Sequence, residues 1–121
     1  MSAALKHLLS PINVGPFDLR NRIYSTGHTT AYNSDGLVSD QEIAYHARKA
    51  QGGIALSISG STAVHPSGGA PQMNLLTNFD DAVLPGYRRL ADAMHAHGAR
   101  MLIQLAHLAS AFSSHHTGHA T

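Results

Sequence analysis

The sequence contains no cysteine, and only 12% of its 121 residues are charged. Without cysteine, this stretch can hold no disulfide, no thiolate metal site and no cysteine nucleophile. Eight basic residues against seven acidic ones leave a formal charge of +1. That gives no electrostatic footprint for nucleic acid or an anionic membrane, and neither is expected as a partner. No run approaches the roughly 20 apolar residues needed to span a bilayer, and the opening MSAALKHLLS lacks a basic segment followed by a sustained apolar one. A soluble, cytoplasmic protein is the expectation. Also missing are the G-x-x-x-x-G-K-[ST] loop and a G-x-G-x-x-G following a strand, which disfavours nucleotide hydrolysis.

What is present is enough for one globular domain: 43% hydrophobic residues in a single-domain length. Gly15-Pro16 between short alternating pieces predicts a small hairpin, leading to a strand near Arg22 to Thr26. Ser39 and Glu42 form a capping-box pattern before the stripe Ile43, Ala44, Ala47 and Ala50, and Gly52-Gly53 end it, which predicts a helix. IALSISG (54 to 60) alternates large apolar and small residues and reads as a strand packed closely on both sides. Residues 63 to 81, rich in Gly and Pro, read as a long loop that partly covers a site. Pro85 opens a second helix with Leu84, Tyr87, Leu90, Ala91 and Met94 on one stripe, capped by Gly98. RMLIQLAH (100 to 107) reads as a buried third strand.

The order strand, helix, strand, helix, strand predicts a parallel sheet, whose ligands gather beyond the carboxyl ends of the strands. Those ends read STGHTT, SGST and QLAH. At Gly27, His28 and Thr29 a glycine could let a planar ligand reach the backbone, or mark a plain turn; Gly60 and Ser61 carry the same two readings. An amide at Gln104 inside an apolar strand needs partners, from a ligand edge or from neighbouring backbone. The ten histidines do not make a metal site: His95 and His97 point to different sides of a helix, and no carboxylate or cysteine accompanies His115, His116 and His119.

Three stretches, LLSPINVGPFDLRNRI, DGLVSDQEIAYHARKAQGGIALSISGSTAVHPSG and DDAVLPGYRRLADAMHAHGARMLIQLAH, resemble in order and spacing the N-terminal part of the old yellow enzyme family of NADH:flavin oxidoreductases. The branch containing 2,4-dienoyl-CoA reductase and trimethylamine dehydrogenase is the most similar. The resemblance implies a (β/α)8 TIM barrel of the α/β class, here its first three strands and two helices with an N-terminal hairpin. It implies FMN at the carboxyl ends of the strands, reduced by NAD(P)H and reoxidised by an enoyl-type or similar small-molecule acceptor. Carried over by position, Gly27, His28 and Thr29 match the turn against the flavin ring, Gly60 and Ser61 the second-strand contact, and Gln104 the amide on the pyrimidine edge. The family's catalytic residues and phosphate-binding loops come later than this stretch, so no catalytic residue is assigned.

Residues 1 to 108 are therefore expected to form the N-terminal portion of such a barrel, and 109 to 121 a Ser/His-rich disordered tail. After His107 the resemblance stops, as in a truncated or frameshifted reading, and the chain alone is expected to be inactive. The rival expectation is a small stand-alone α/β binding or interaction module without redox activity.

Overall fold

The computed structural model describes residues 5 to 68 and 73 to 108. β1 (Ile12–Val14) and β2 (Phe17–Leu19) form an antiparallel hairpin. Gly15 at its turn has φ +57°, the left-handed conformation that glycine adopts without steric cost. Arg20 and Asn21 leave the hairpin as anchors. The Arg20 guanidinium donates to the Ala50 and Ile54 carbonyls at 2.9 and 2.8 Å, and the Asn21 amide donates to the Gly53 carbonyl at 2.8 Å. These bonds tie the entry of the chain to the end of the first helix.

The main sheet is parallel, as the alternation of helical and strand patterns predicts. β3 (Tyr24–Ser25) is followed by α1 (Asp40–Gln51), β4 (Leu56–Ala63), β5 (Leu76–Thr77), α2 (Leu84–His95) and β6 (Arg100–Ala106). β4 is central. One edge takes β6 along its length, from Leu56 opposite Arg100 to Ala63 opposite Ala106. The other edge takes β3 at Leu56 and Ser57, then β5 at Thr62 and Ala63. Between Ile58 and Ser61 the register with β6 shifts, so Gly60 and Ser61 lie inside β4 at an irregularity rather than beyond its end.

The segment expected as a covering loop is in part woven into the sheet. Leu75 and Leu76 are buried, and β5 pairs with β4; short 3-10 turns at Pro66–Gly68 and Asp81–Val83 flank it. β-Pairing satisfies the backbone of a two-residue strand that no periodicity could announce.

α1 and α2 pack on one face of the sheet around Val38, Ala50, Leu76, Leu90, Met94 and Ala99. Gly86 permits a close approach: a Cβ there would lie 3.0 Å from that of Val38. The helices begin and end on the residues their chemistry favours. Ser39 accepts from the Glu42 N–H at 3.1 Å, Pro85 lies in the first turn of α2, and Gly53 and Gly98 have φ of +105° and +70°.

Two expectations are corrected. In α1 the buried positions are Glu42, His46 and Ala50, spaced four apart, and Ala44 is exposed. The helix is rotated toward its polar residues because those residues find partners beneath it. β6 is not a buried strand: Leu102, Ile103 and Leu105 are all exposed, since only β4 pairs with it among the described residues. Residues 109 to 121, and with them the histidines of the tail, lie outside the described residues.

Candidate functional site

The parallel arrangement brings the carboxyl-terminal parts of β4 and β6 together with the turn that follows β3. Ser61 and Gln104 are register partners on β4 and β6, with the Ser61 hydroxyl 3.5 Å from Gln104 Oε1, the long limit of a hydrogen bond. Across β4, the backbone of His28 and Thr29 lies directly on Gly60. A Cβ at Gly60 would meet the His28 carbonyl oxygen at 2.4 Å and the Thr29 Cα at 2.7 Å. At Gly27 a Cβ would meet the Ser59 carbonyl oxygen at 2.7 Å and Gln104 Oε1 at 2.9 Å. Both glycines are thus required by the close approach of the segment after β3 to β4 and to Gln104, and this contact forms the rim that carries Thr29, Ser61 and Gln104.

The environment of Gln104 differs from that of an amide sealed in a core. Gln104 is exposed, and its backbone N–H donates to the Ser59 hydroxyl at 3.4 Å. Its side chain is available on the open face of the sheet. His28 turns the other way: its Nε2 meets the Tyr45 hydroxyl, the two rings pack edge to face with centroids 5.5 Å apart, and Lys49 lies 4.2 Å over the Tyr45 ring. So the backbone of His28 belongs to the rim while its ring rests on α1.

Beneath the rim lies a polar chain that the sequence reading missed. Glu42 and His46, each 1% exposed, are joined at 3.0 Å between Oε1 and Nε2. His46 Nδ1 is 2.9 Å from the Ser57 hydroxyl, and the Thr30 hydroxyl donates to the other Glu42 carboxylate oxygen. The capping box is therefore only half made, because the Glu42 side chain reaches Thr30 and His46 instead of the start of its own helix. The pattern Glu42 to His46, i to i+4 on the face that carries Ala50, is the signal that could have found it.

Burial alone raises the Glu42 pKa, but hydrogen bonds from His46 and Thr30, with the field of His46 and His28, more than offset it. The carboxyl is held below its ordinary range. Burial likewise pushes the Tyr87 phenol up. Serine, histidine and glutamate follow one another as in the relay of a hydrolase nucleophile, but the two ring nitrogens are exchanged, with Ser57 on Nδ1 and Glu42 on Nε2, and Ser57 is 0% exposed.

At the tip of the same edge, the Ser67 hydroxyl bridges His65 Nδ1 at 2.8 Å and His107 Nε2 at 3.0 Å. His107 thus leans toward the β4 side of the rim. Among the described residues no three His, Asp or Glu side chains are placed to hold a metal ion, and no helix is long and apolar enough to cross a membrane. A cleft of about 530 Å³ lies elsewhere, between the loop before α1 and the segment leading into α2. With Asp35 and Asp80 on its wall it is unsuited to a phosphorylated ligand, and the polar rim is the better candidate.

A parallel sheet with helices on one face and a polar rim at its carboxyl end is the opening portion of a TIM barrel of the old yellow enzyme type. The chain belongs to the NADH:flavin oxidoreductase / NADH oxidase family, whose model matches residues 7–120. It is 37% identical over 101 residues to a probable N-methylproline demethylase of Rhizobium meliloti (strain 1021), covering 84% of this chain and 15% of that protein. It is 35% identical over 108 residues to a multifunctional alkene reductase/demethylase of Caballeronia cordobensis, covering 88% and 16%. A solved 2-naphthoyl-CoA reductase superposes with a TM-score of 0.79 at 29% identity, covering 84% of this chain and 16% of that one. The chain spans about one sixth of the length of each. The family is FMN- and NAD(P)H-dependent.

Proposed function

We propose that this chain supplies part of the FMN cradle of an oxidoreductase that passes hydride from NAD(P)H through the flavin to an enoyl-type or similar small-molecule acceptor. The observation that carries this reading is the convergence of Thr29, Ser61 and Gln104 on one rim of a parallel sheet. The residues present fit one part of that cofactor. A hydroxyl beside an amide on a rim of neutral donors and acceptors suits the alternating pyrimidine edge of an isoalloxazine. When bound, the flavin supplies the hydride-accepting and hydride-donating chemistry.

The chain's own residues orient and do not react. With the flavin bound, the Gln104 amide and the Ser61 hydroxyl would hold its polar edge, and the tightly packed backbone at 27 to 29 would support it. The six residues carry no fixed positive charge toward a phosphate, so the charge-assisted part of FMN binding comes from groups other than these. Retention by this chain alone is accordingly weak. The names of relatives that reduce alkenes or an aryl-CoA support the acceptor class.

Titrating the purified chain with FMN and following flavin fluorescence tests the reading. Saturable quenching is expected, weakened about tenfold by Gln104→Ala, the worth of one or two good hydrogen bonds. Quenching indifferent to Gln104 and Ser61, or a folded chain that binds no flavin, would favour the stand-alone module instead.

A further inference from the structure

The buried chain Thr30–Glu42–His46–Ser57 does more than fill the interface between α1 and the sheet. Its two ends sit on the two backbones that touch at Gly60. Thr30 follows Thr29, whose Cα lies against Gly60, and Ser57 stands three residues before Gly60 on β4. Hydrogen bonds and backbone therefore close a ring: Thr30, Glu42, His46, Ser57, along β4 to Gly60, and across to Thr29. Beside this ring, Thr29, Thr30, Glu42, Gly60 and Ser61 line a small, half-open cleft of only about 10 Å³, room for one water at most.

Each member has a defined partner. The Glu42 carboxylate can only accept, so His46 Nε2 carries the proton, and in the neutral ring Nδ1 accepts from the Ser57 hydroxyl. The Thr30 hydroxyl donates to Glu42 and accepts from the Tyr32 N–H at 3.2 Å, next to Ala31 at φ +60°. A non-glycine residue in the left-handed region persists only where its surroundings hold it. Among the described residues, no buried side-chain polar atom is left without a partner.

We propose that Glu42 and His46 are positioning residues that set the spacing between the Thr29 turn and the Gly60–Ser61 edge, and so the aperture of the flavin cradle. The inference rests on the cofactor reading above. They touch no ligand; they act through Thr30 on one side and Ser57 on the other. A closed ring of this kind works as a unit, so cutting it at one point releases it, and a second cut adds little. A group that served only as packing would behave otherwise, with separate and additive losses of stability and no change in affinity.

The test is a double-mutant cycle on the full chain, read by FMN fluorescence titration, melting temperature and amide hydrogen exchange at Thr29 to Tyr32. Thr30→Val keeps the shape of the side chain and removes the hydroxyl. It is expected to weaken FMN binding about tenfold, the scale of one charge-assisted hydrogen bond, and to speed exchange across the turn. Thr30→Ser restores the hydroxyl and is expected to restore both. Ser57→Ala weakens binding in the same direction, and Thr30→Val with Ser57→Ala is no weaker than Thr30→Val alone. Arg89→Ala, which cuts an exposed ion pair to Asp40, leaves affinity unchanged. Equal affinity and equal exchange in the Val and Ser variants at Thr30, or fully additive losses of affinity in the cycle, would overturn the proposal. If the wild-type chain shows no saturable FMN binding while Thr30→Val still accelerates exchange at the turn, the cofactor reading fails, and what survives is that the ring holds the turn at Thr29 to Tyr32 against β4.

Discussion

On the helix-covered face of β4 the side chains of Ser57 and Ser59 are fully buried, whereas on neighbouring β6 Leu102 and Leu105 are 39% and 59% exposed. A ranking by hydrophobicity alone would reverse the two. The difference shows that burial in this sheet follows which face has a layer packed on it. Ser57 fits beneath α1 with its hydroxyl paired to His46, and the buried Ser59 hydroxyl is paired with backbone at Gly60 and Gln104. The leucines of β6 are apolar and β-compatible, but with one strand beside them they keep much of their surface in water.

Substitutions on the covered face should bring the largest losses. His46→Ala leaves the Glu42 carboxylate buried without its main partner and is expected to cost about 3 to 5 kcal/mol in urea denaturation. A cost below about 1 kcal/mol would mean that water reaches Glu42 and that the covered face is not sealed. Gly60→Ala, where the faces meet at the rim, forces a methyl into the His28 carbonyl and Thr29 Cα. About 2 to 3 kcal/mol is expected from overpacking, seen as a lowered melting temperature together with weakened flavin binding.

Acid should act more mildly and on the covered face only. Glu42 has a folded pKa below its unfolded one, so its contribution is present above the unfolded value and is lost as pH falls through the folded value. Melting temperature is therefore expected to fall on acidification below the ordinary carboxylate range, with a shallower fall in Glu42→Gln. An equal slope in both would place the acid sensitivity elsewhere. The smallest effect is expected on the open side: Leu105→Ser should change stability by about 0.5 kcal/mol or less while reducing light scattering of concentrated samples. A large loss there would show that β6 is covered after all.

Much of the fold was legible because its signals are local. Gly15, Gly53 and Gly98 stand where the backbone turns left-handed, Ser39 and Pro85 open the helices, and the alternation of two periods dictated a parallel sheet. The rim was legible for the same reason: parallel strands bring polar residues near their carboxyl ends to one edge, and Ser61 and Gln104 pair there after a register shift in β4 that no local pattern announced. The roles of Glu42 and His46 were hidden. Glu42 satisfied a local pattern, the capping box, and only its contact with Thr30 twelve residues earlier showed that the carboxylate was engaged elsewhere. β5 was hidden because two residues paired by a neighbour carry no period of their own.

By itself the sequence determined where the chain turns, which stretches coil or extend, and in what direction the strands run, since those choices are made between residues a few positions apart. Only the tertiary structure decided which faces are dry, why Gly27 and Gly60 cannot carry a side chain, and that a glutamate and a histidine lie sealed under the rim. The reason is that desolvation and steric contact depend on atoms brought together from distant parts of the chain, and no window along the sequence contains them.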